Sequence, residues 1–227
     1  MAIQQKAAKI RGIADIVFCI DFSESMSDCI AGVKNHISTF AGSLESTNPN
    51  MVIDWQIGFC GYSDIDFIKF NFTRDTDDFS AKLEAAATEG GDEFTPGAID
   101  FCISDFEWRP VSNKFLIVFT DETISTGGTD EQIKEGKARF QDLLNKITNS
   151  HIRLFYFGPD CPYYRKFETI SRTIVTYIED SFSTIDFSAL LGSLGKTVSQ
   201  SCSGQNTGGK SKPPYIYDLS SFKINYL

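Results

Sequence analysis

Short continuous runs of apolar residues alternate along the chain with longer stretches in which apolar residues recur every three or four positions. The first run, at residues 16–20, is rich in β-branched and aromatic residues, which is typical of a strand covered on both faces. Residues 28–46 show the helical spacing, with apolar side chains on one face. The same criteria predict strands at 16–20, 51–62, 66–72, 113–120, 152–157 and 173–178, and helices at 28–46, 76–88, 99–106, 130–149, 163–170 and 187–198.

The order of these elements predicts an α/β fold. Strands and helices alternate through most of the chain, and this order implies a parallel sheet that lies between layers of helices. The strands at 51–62 and 66–72 are the exception, because residues 63–65 are too few to form a crossover helix between them. We expect this pair to form an antiparallel hairpin.

The length and composition indicate one main domain. The chain has 227 residues, of which 41% are hydrophobic, and this is enough for one substantial core. The terminal segments are more polar, with Ser, Gly, Asn and Lys prominent after residue 198, and aromatic residues return near the C-terminus. We predict an N-terminal extension at 1–13, a domain at 14–198, a flexible linker at 199–214, and an aromatic tail at 215–227 that packs either on its own domain or on a partner.

The charge and the cysteines limit the classes of partner and compartment. The formal net charge is −9, so the chain lacks the basic surface that a nucleic acid needs, and cations or basic protein surfaces suit it better. The six cysteines form no C-x-x-C pair, residues 1–12 lack the apolar core of a signal peptide, and no apolar window is long enough to span a membrane. We therefore expect a cytoplasmic protein with reduced thiols and no membrane contact.

Five oxygen-bearing side chains follow or precede the predicted elements in a way that suggests a metal site. Asp21, Ser23 and Ser25 come directly after the first strand, Thr95 is expected at the N-cap of a helix with a proline in its first turn, and Asp121 follows the strand at 113–120. In a parallel sheet these loops share the carboxyl edge. Carboxylates and hydroxyls suit a hard cation such as Mg²⁺, and the neutral hydroxyls leave the ion electrophilic.

The pattern D-F-S-E-S after the first strand, a later Thr before a helix and an Asp after the next strand resembles the metal-ion-dependent adhesion site of von Willebrand factor type A domains. The resemblance covers about residues 14–198. It implies a Rossmann-like, doubly wound, mostly parallel sheet with one antiparallel edge strand and helices on both faces. It also implies that Asp21, Ser23, Ser25, Thr95 and Asp121 bind the metal, some of them through water, in a protein similar to the intracellular, bacterial-type members.

Several interpretations remain open at this level. Taken singly, each of the five side chains could instead cap a helix or satisfy a turn. The main hypothesis is a non-catalytic module that binds Mg²⁺, with Mn²⁺ or Ca²⁺ as alternatives, and receives an Asp or Glu from a protein partner, as in a bacterial stress-response or defence assembly. The alternatives are a metal-dependent phosphohydrolase or phosphotransferase that uses the same site, and a secreted adhesin.

Overall fold

A mixed sheet of six strands, with helices on both faces, forms the centre of the computed structural model of this chain. The described residues are 9–44, 51–63, 66–86, 94–126, 128–179 and 181–203. The strands are β1 (Lys9–Asp21), β2 (Met51–Ser63), β3 (Asp66–Thr73), β4 (Asn113–Phe119), β5 (Ile152–Gly158) and β6 (Ile174–Tyr177). The helices are α1 (Ser27–Leu44), α2 (Thr76–Ala85), α3 (Thr95–Asp105), α4 (Asp130–Asn149) and α5 (Phe187–Ser203), with short 3₁₀ helices at Glu24–Met26, Tyr164–Thr169 and Phe182–Thr184.

The strand order confirms the predicted fold class. The order across the sheet is β3-β2-β1-β4-β5-β6, and all neighbouring strands are parallel except β2 and β3. The predicted hairpin is confirmed, because β2 and β3 run antiparallel with Tyr62 opposite Phe67. The result is a Rossmann-like, mostly parallel sheet with one antiparallel edge strand.

β1 lies in the middle of the sheet and contributes to both of its cores. Ile16, Phe18 and Ile20 pack into the cluster that contains the buried faces of α1 and α5, whereas Val17 and Cys19 pack into the cluster with α3 and α4. Alternate side chains of a strand point to opposite faces of the sheet, so both sets must be apolar when helices cover both faces. This explains why the sequence of β1 shows a continuous apolar run rather than an alternating pattern.

The structure extends β1 and α5 into segments that were predicted to lie outside the domain. β1 begins at Lys9, so residues 9–13 of the predicted N-terminal extension form a strand, which pairs there with β2 but not with β4. A strand end with one neighbour needs few apolar residues, which is why the pattern missed it. α5 continues to Ser203 and includes the first residues of the predicted linker, because Cys202 is buried close to Gly12 of β1.

The predicted helix at 163–170 is present as the 3₁₀ helix Tyr164–Thr169. The remainder of the predicted linker, 204–214, and the whole aromatic tail, 215–227, lie outside the described residues. None of the helices in the described ranges combines the length and the apolar character needed to cross a membrane.

The middle of β1 contains a fully buried carboxylate that the sequence analysis did not identify. Asp15 accepts hydrogen bonds from the backbone N–H of Arg109 (2.7 Å), from its Nε (2.7 Å) and from the hydroxyl of Ser112 (2.7 Å). The guanidinium group of Arg109 also lies 3.0 Å from Asp54 of β2. Arg109 therefore ties the loop before β4 to both β1 and β2, and its positive charge balances the buried Asp15.

Replacement of Arg109 should destabilise the fold. In Arg109→Met the carboxylate of Asp15 remains buried but loses its cation, and we expect the free energy of unfolding to fall by about 3 kcal/mol. Urea unfolding at neutral pH measures this loss. The matched control is Arg165→Met, which removes a solvent-exposed ion pair with Asp160 and should leave the unfolding midpoint unchanged. Equal midpoints for the two variants would show that the buried pair contributes nothing.

Candidate metal centre

The candidate site lies at the carboxyl edge of the sheet, where the loops after β1 and β4 meet. β1 ends at Asp21, which pairs in register with Tyr62 of β2, and Ile20 pairs with Phe119, the last residue of β4. Parallel strands carry their carboxyl ends to the same edge, so the side chains that follow them become neighbours. The sheet therefore brings residues from distant parts of the sequence to one place.

Asp21 is the centre of this group. Its side chain is fully buried, although it carries an ionisable carboxyl group. Oδ1 accepts a hydrogen bond from the backbone N–H of Ser23 (2.9 Å), and Oδ2 accepts one from the hydroxyl of Thr120 (3.0 Å). Both contacts are with neutral donors, so they orient the carboxylate without neutralising its charge.

The two serines follow Asp21 at the start of the next element. Ser23 is buried and Ser25 is exposed, and their hydroxyl oxygens lie 3.0 Å apart. Ser23 occupies the N-cap position of the 3₁₀ helix Glu24–Met26, but its side chain makes no capping hydrogen bond. The hydroxyl of Ser23 therefore contacts the hydroxyl of Ser25 instead of capping the helix.

The predicted N-cap role of Thr95 is wrong. Phe94 occupies the N-cap position of α3, and Thr95 is the first residue of the helix, with Pro96 in the first turn as predicted. The Thr95 side chain is buried and its hydroxyl lies 3.0 Å from the hydroxyl of Tyr62 and 3.1 Å from that of Thr120. The Thr95 hydroxyl lies at the end of the sheet, where the hydroxyls of Tyr62 and Thr120 are its hydrogen-bond partners.

Asp121 lies at the outer side of the group. It directly follows Thr120 in the loop after β4, and its side chain is exposed. Its negative charge is close enough to Asp21 to raise the pKa of that carboxyl group. The structure thus joins Asp21, Ser23 and Thr95 through hydrogen bonds, with Ser25 and Asp121 at the exposed margin, and the metal-binding role of these five residues stays a prediction.

Three residues of this site were missed by the sequence analysis. Thr120 bonds to both Asp21 and Thr95, and its position between an apolar run and a carboxylate could have suggested it. Tyr62 ends the apolar part of β2 beside Asp21, so the predicted sheet could also have suggested it. Tyr164 gave no such signal, because only the packing of its 3₁₀ helix against the sheet brings it close.

Tyr164 provides an unusual polar atom beside the site. Its side chain is fully buried, and its hydroxyl has no hydrogen-bond partner among the described residues. Burial raises the pKa of Tyr164, and the nearby hydroxyl of Thr95 partly opposes that shift. A buried hydroxyl without a partner suggests a place where a water molecule or another ligand is accommodated.

The environment of Asp21 disfavours its negative charge. Burial raises the pKa of Asp21 to about 6 from the usual 3.8, and the charge of Asp121 adds to this effect. The hydrogen bonds from Ser23 and Thr120 act in the opposite direction but do not cancel it. An ionised Asp21 would be stabilised by a positive charge, and a metal ion could supply one.

A comparison of the two buried carboxylates of β1 shows that the surroundings of Asp21 differ from those of an ordinary ion pair. Asp15 is paired with Arg109, whereas no salt bridge within the described part of the chain involves Asp21. The described residues contain no group of three or more His, Cys, Asp or Glu side chains that could bind a metal on their own. Any cation here must therefore use hydroxyl oxygens beside carboxylates, a donor set that fits Mg²⁺.

A comparison with known families is decisive for this fold. The sequence model for the von Willebrand factor type A (VWA) domain matches residues 15–190, which is most of the chain. The chain belongs to the von Willebrand factor type A domain family. VWA domains are in general non-catalytic modules for protein–protein interaction. The matched region includes all five residues that the sequence analysis proposed as metal ligands.

Solved structures with the same fold come from diverse proteins. The VWA domain of SpRpn10 shares 13% identity and a TM-score of 0.54, over 75% of this chain and 92% of that one. Proximal thread matrix protein 1 from the mussel byssus shares 14% identity and a TM-score of 0.58, over 83% of this chain and 46% of that one. An aerotolerance-related membrane protein from Bacteroides fragilis, with multiple mutations to serines, shares 11% identity and a TM-score of 0.54, over 82% of this chain and 98% of that one.

These likenesses support the VWA fold and nothing finer. At this level of identity a shared fold does not carry over a ligand or a partner. No curated protein sequence matches the chain. The function must therefore be argued from the site of this VWA domain itself.

The raised pKa of Asp21 predicts how stability depends on pH in metal-free protein. The folded state binds the Asp21 proton more tightly than the unfolded chain does, so the contribution of Asp21 is greatest below pH 3.8 and is lost as the pH rises through about 6. The loss should be about 3 kcal/mol in the free energy of unfolding, because each pKa unit corresponds to about 1.4 kcal/mol.

Urea unfolding in the presence of a chelator, over a pH series that covers both pKa values, measures this effect. Asp21→Asn keeps the size of the side chain and removes its titration, so the wild-type protein should lose stability relative to Asp21→Asn as the pH rises. Parallel pH profiles for the two proteins would contradict the prediction.

The unpartnered hydroxyl of Tyr164 leads to a second prediction. Tyr164→Phe removes this hydroxyl and keeps the buried ring, which packs against Tyr156 and Phe167. Since an unsatisfied buried hydroxyl is unfavourable, we expect the free energy of unfolding of metal-free protein to stay the same or to rise by about 1 kcal/mol. Urea unfolding in chelator measures this change. A clear loss of stability would mean that the hydroxyl already has a partner, such as a bound water molecule.

Proposed function

We propose that this VWA domain binds a protein partner through a divalent cation and has no catalytic activity of its own. The cation is Mg²⁺, or Mn²⁺ or Ca²⁺ in its place. The protein ligands, some acting through water, are Asp21, Ser23, Ser25, Thr95 and Asp121, and an Asp or Glu side chain of the partner completes the coordination.

The observation that carries this proposal is the buried carboxylate of Asp21, which is surrounded by hydroxyl groups. A fully buried carboxylate needs a positive charge, and Asp15 on the same strand obtains one from Arg109. Asp21 is instead bonded to the backbone of Ser23 and to the hydroxyl of Thr120. A divalent cation would supply the positive charge that no ion pair in the described ranges gives to Asp21.

The choice of ligands supports a role in binding an acidic partner. Asp21 and Asp121 together carry two negative charges, which formally equal the charge of the cation, and the hydroxyls of Ser23, Ser25 and Thr95 add none. Because hydroxyl oxygens donate weakly, the ion would keep an affinity for a further carboxylate. Ser25 and Asp121 are exposed, so this edge of the site faces the solvent from which a partner approaches.

The cysteines support a cytoplasmic location. All six lie within the described residues, where they are buried and form no disulfide, and Cys19, Cys60 and Cys102 belong to the core cluster beneath α3. Thiols remain reduced in a reducing compartment, whereas secreted proteins commonly use their cysteines in disulfides. We therefore propose that the partner is also a cytoplasmic protein.

Metal binding can be tested by thermal unfolding with and without Mg²⁺. At a Mg²⁺ concentration one hundred times the Kd, the wild-type protein should gain about 2.7 kcal/mol, which corresponds to a rise of about 5–10 °C in Tm. The variant Asp21→Asn with Asp121→Asn should show no rise. A double variant in two exposed acids elsewhere, Glu107→Gln in the loop before β4 with Asp142→Asn in α4, changes the net charge equally and should respond like the wild-type protein.

Binding of the partner should depend on Asp21 and Asp121 as well. Proteins from a native lysate that bind the wild-type domain in Mg²⁺ should be lost in chelator and with the Asp21→Asn, Asp121→Asn variant. Binding should also be lost when the acidic residue of an identified partner is replaced by its amide. Retained binding in these variants, or a phosphoester hydrolysis that disappears with Asp21→Asn, would refute the proposed function.

A further inference from the structure

We propose that Tyr62 is a positioning residue for the metal site, because it donates a hydrogen bond that fixes the hydroxyl of Thr95 as an acceptor. This inference rests on the proposed metal site, since it assigns a role to a residue that does not itself bind the ion. Its basis is the direction of the hydrogen bonds that connect Tyr62, Thr95, Thr120 and Asp21.

The direction begins at Asp21. An ionised carboxylate can only accept, so the hydroxyl of Thr120 donates its single proton to Oδ2 of Asp21, at 3.0 Å. The oxygen of Thr120 then accepts from the backbone N–H of Glu122 (3.1 Å) and from the hydroxyl of Thr95 (3.1 Å). One proton and two lone pairs are all that a hydroxyl offers, so every position of the Thr120 hydroxyl is used.

Thr95 therefore donates its hydroxyl proton to Thr120. In the 3.0 Å contact between Tyr62 and Thr95, the proton must then come from Tyr62. The hydrogen bonds run in one direction, from the phenol of Tyr62 through Thr95 and Thr120 to Asp21. Successive hydrogen bonds of this kind strengthen one another in a buried environment.

Within the described part of the chain, this assignment leaves Thr95 with one lone pair that neither of its two hydrogen bonds uses. A cation needs a lone pair, and the two hydrogen bonds from Tyr62 and to Thr120 hold the Thr95 oxygen so that its remaining lone pair has a fixed direction. If the bond to Tyr62 is removed, only one bond fixes the side chain. Residues that orient metal ligands in this way commonly change metal affinity when they are replaced.

Tyr62 is well placed to hold two loops in a fixed relation. Its side chain is buried and belongs to the core beneath α3. Its backbone carbonyl accepts a hydrogen bond from the N–H of Phe22 (2.8 Å), while its hydroxyl bonds to Thr95. The same residue therefore connects the loop after β1 with the first turn of α3, which are the two segments that contribute Ser23 and Thr95.

The variant Tyr62→Phe tests this role, because it keeps the buried ring and removes the donor. We expect calorimetric titration with Mg²⁺ to show an affinity about tenfold weaker than that of the wild-type protein. In metal-free protein, NMR couplings of the Thr95 methyl group should change from a single side-chain rotamer to an average over rotamers. This second readout does not depend on metal binding.

Tyr156→Phe is the matched control. Tyr156 is an equally buried tyrosine of the same core, and its hydroxyl donates to the carbonyl of Pro159 (3.3 Å) rather than to a residue of the site. Its replacement should leave both the Mg²⁺ affinity and the Thr95 rotamer unchanged. Unfolding in chelator compares the stability of the two variants and separates a loss of affinity from a loss of fold.

The outcomes distinguish the two proposals. If the wild-type protein binds Mg²⁺ and Tyr62→Phe keeps its affinity and its single Thr95 rotamer, the role of Tyr62 is overturned while the proposed function stands. An equal loss of affinity in Tyr62→Phe and Tyr156→Phe would also overturn it, because the effect would then be general. If the wild-type protein binds no divalent cation, the proposed function fails and this inference fails with it.

Discussion

The burial of Asp21 at the end of the central strand is the constraint on which the rest of the site depends. Transfer of a charged carboxylate from water into a protein is unfavourable unless a partner compensates it. Among the described residues the compensation consists of hydrogen bonds from Ser23 and Thr120, and the pKa of Asp21 remains raised to about 6. The folded domain therefore holds a carboxyl group that has a high affinity for a cation or a proton.

The two buried carboxylates of β1 show two solutions to the same physical problem. In the middle of the strand Asp15 is buried against Arg109, and the ion pair joins three segments of the chain into a fixed unit. At the carboxyl end of the strand Asp21 accepts hydrogen bonds from two neutral donors, the backbone N–H of Ser23 and the hydroxyl of Thr120. The first arrangement satisfies its charges within the chain, whereas the second leaves the charge of Asp21 without a cationic partner among the described residues.

The sheet makes the hydroxyl network possible because it brings four elements to one edge. Tyr62 comes from β2, Asp21 from β1, Thr120 from the end of β4 and Thr95 from α3. None of these side chains could hold its orientation alone, since a hydroxyl rotates freely until a partner fixes its proton. The order of hydrogen bonds is therefore a property of the assembled fold rather than of any one loop.

The sequence by itself determined the strands, the hairpin and the position of the site at the carboxyl edge, because apolar runs and the polar residues that follow them are local signals. It also placed Asp21, Ser23, Thr95 and Asp121 near one another, since parallel strands end at a common edge. Only the tertiary structure decided that Thr95 turns its hydroxyl toward Tyr62 and Thr120, and that Asp15 meets Arg109 across 94 positions of sequence. Such contacts depend on packing between distant segments, so the pattern of residues within a single segment does not predict them.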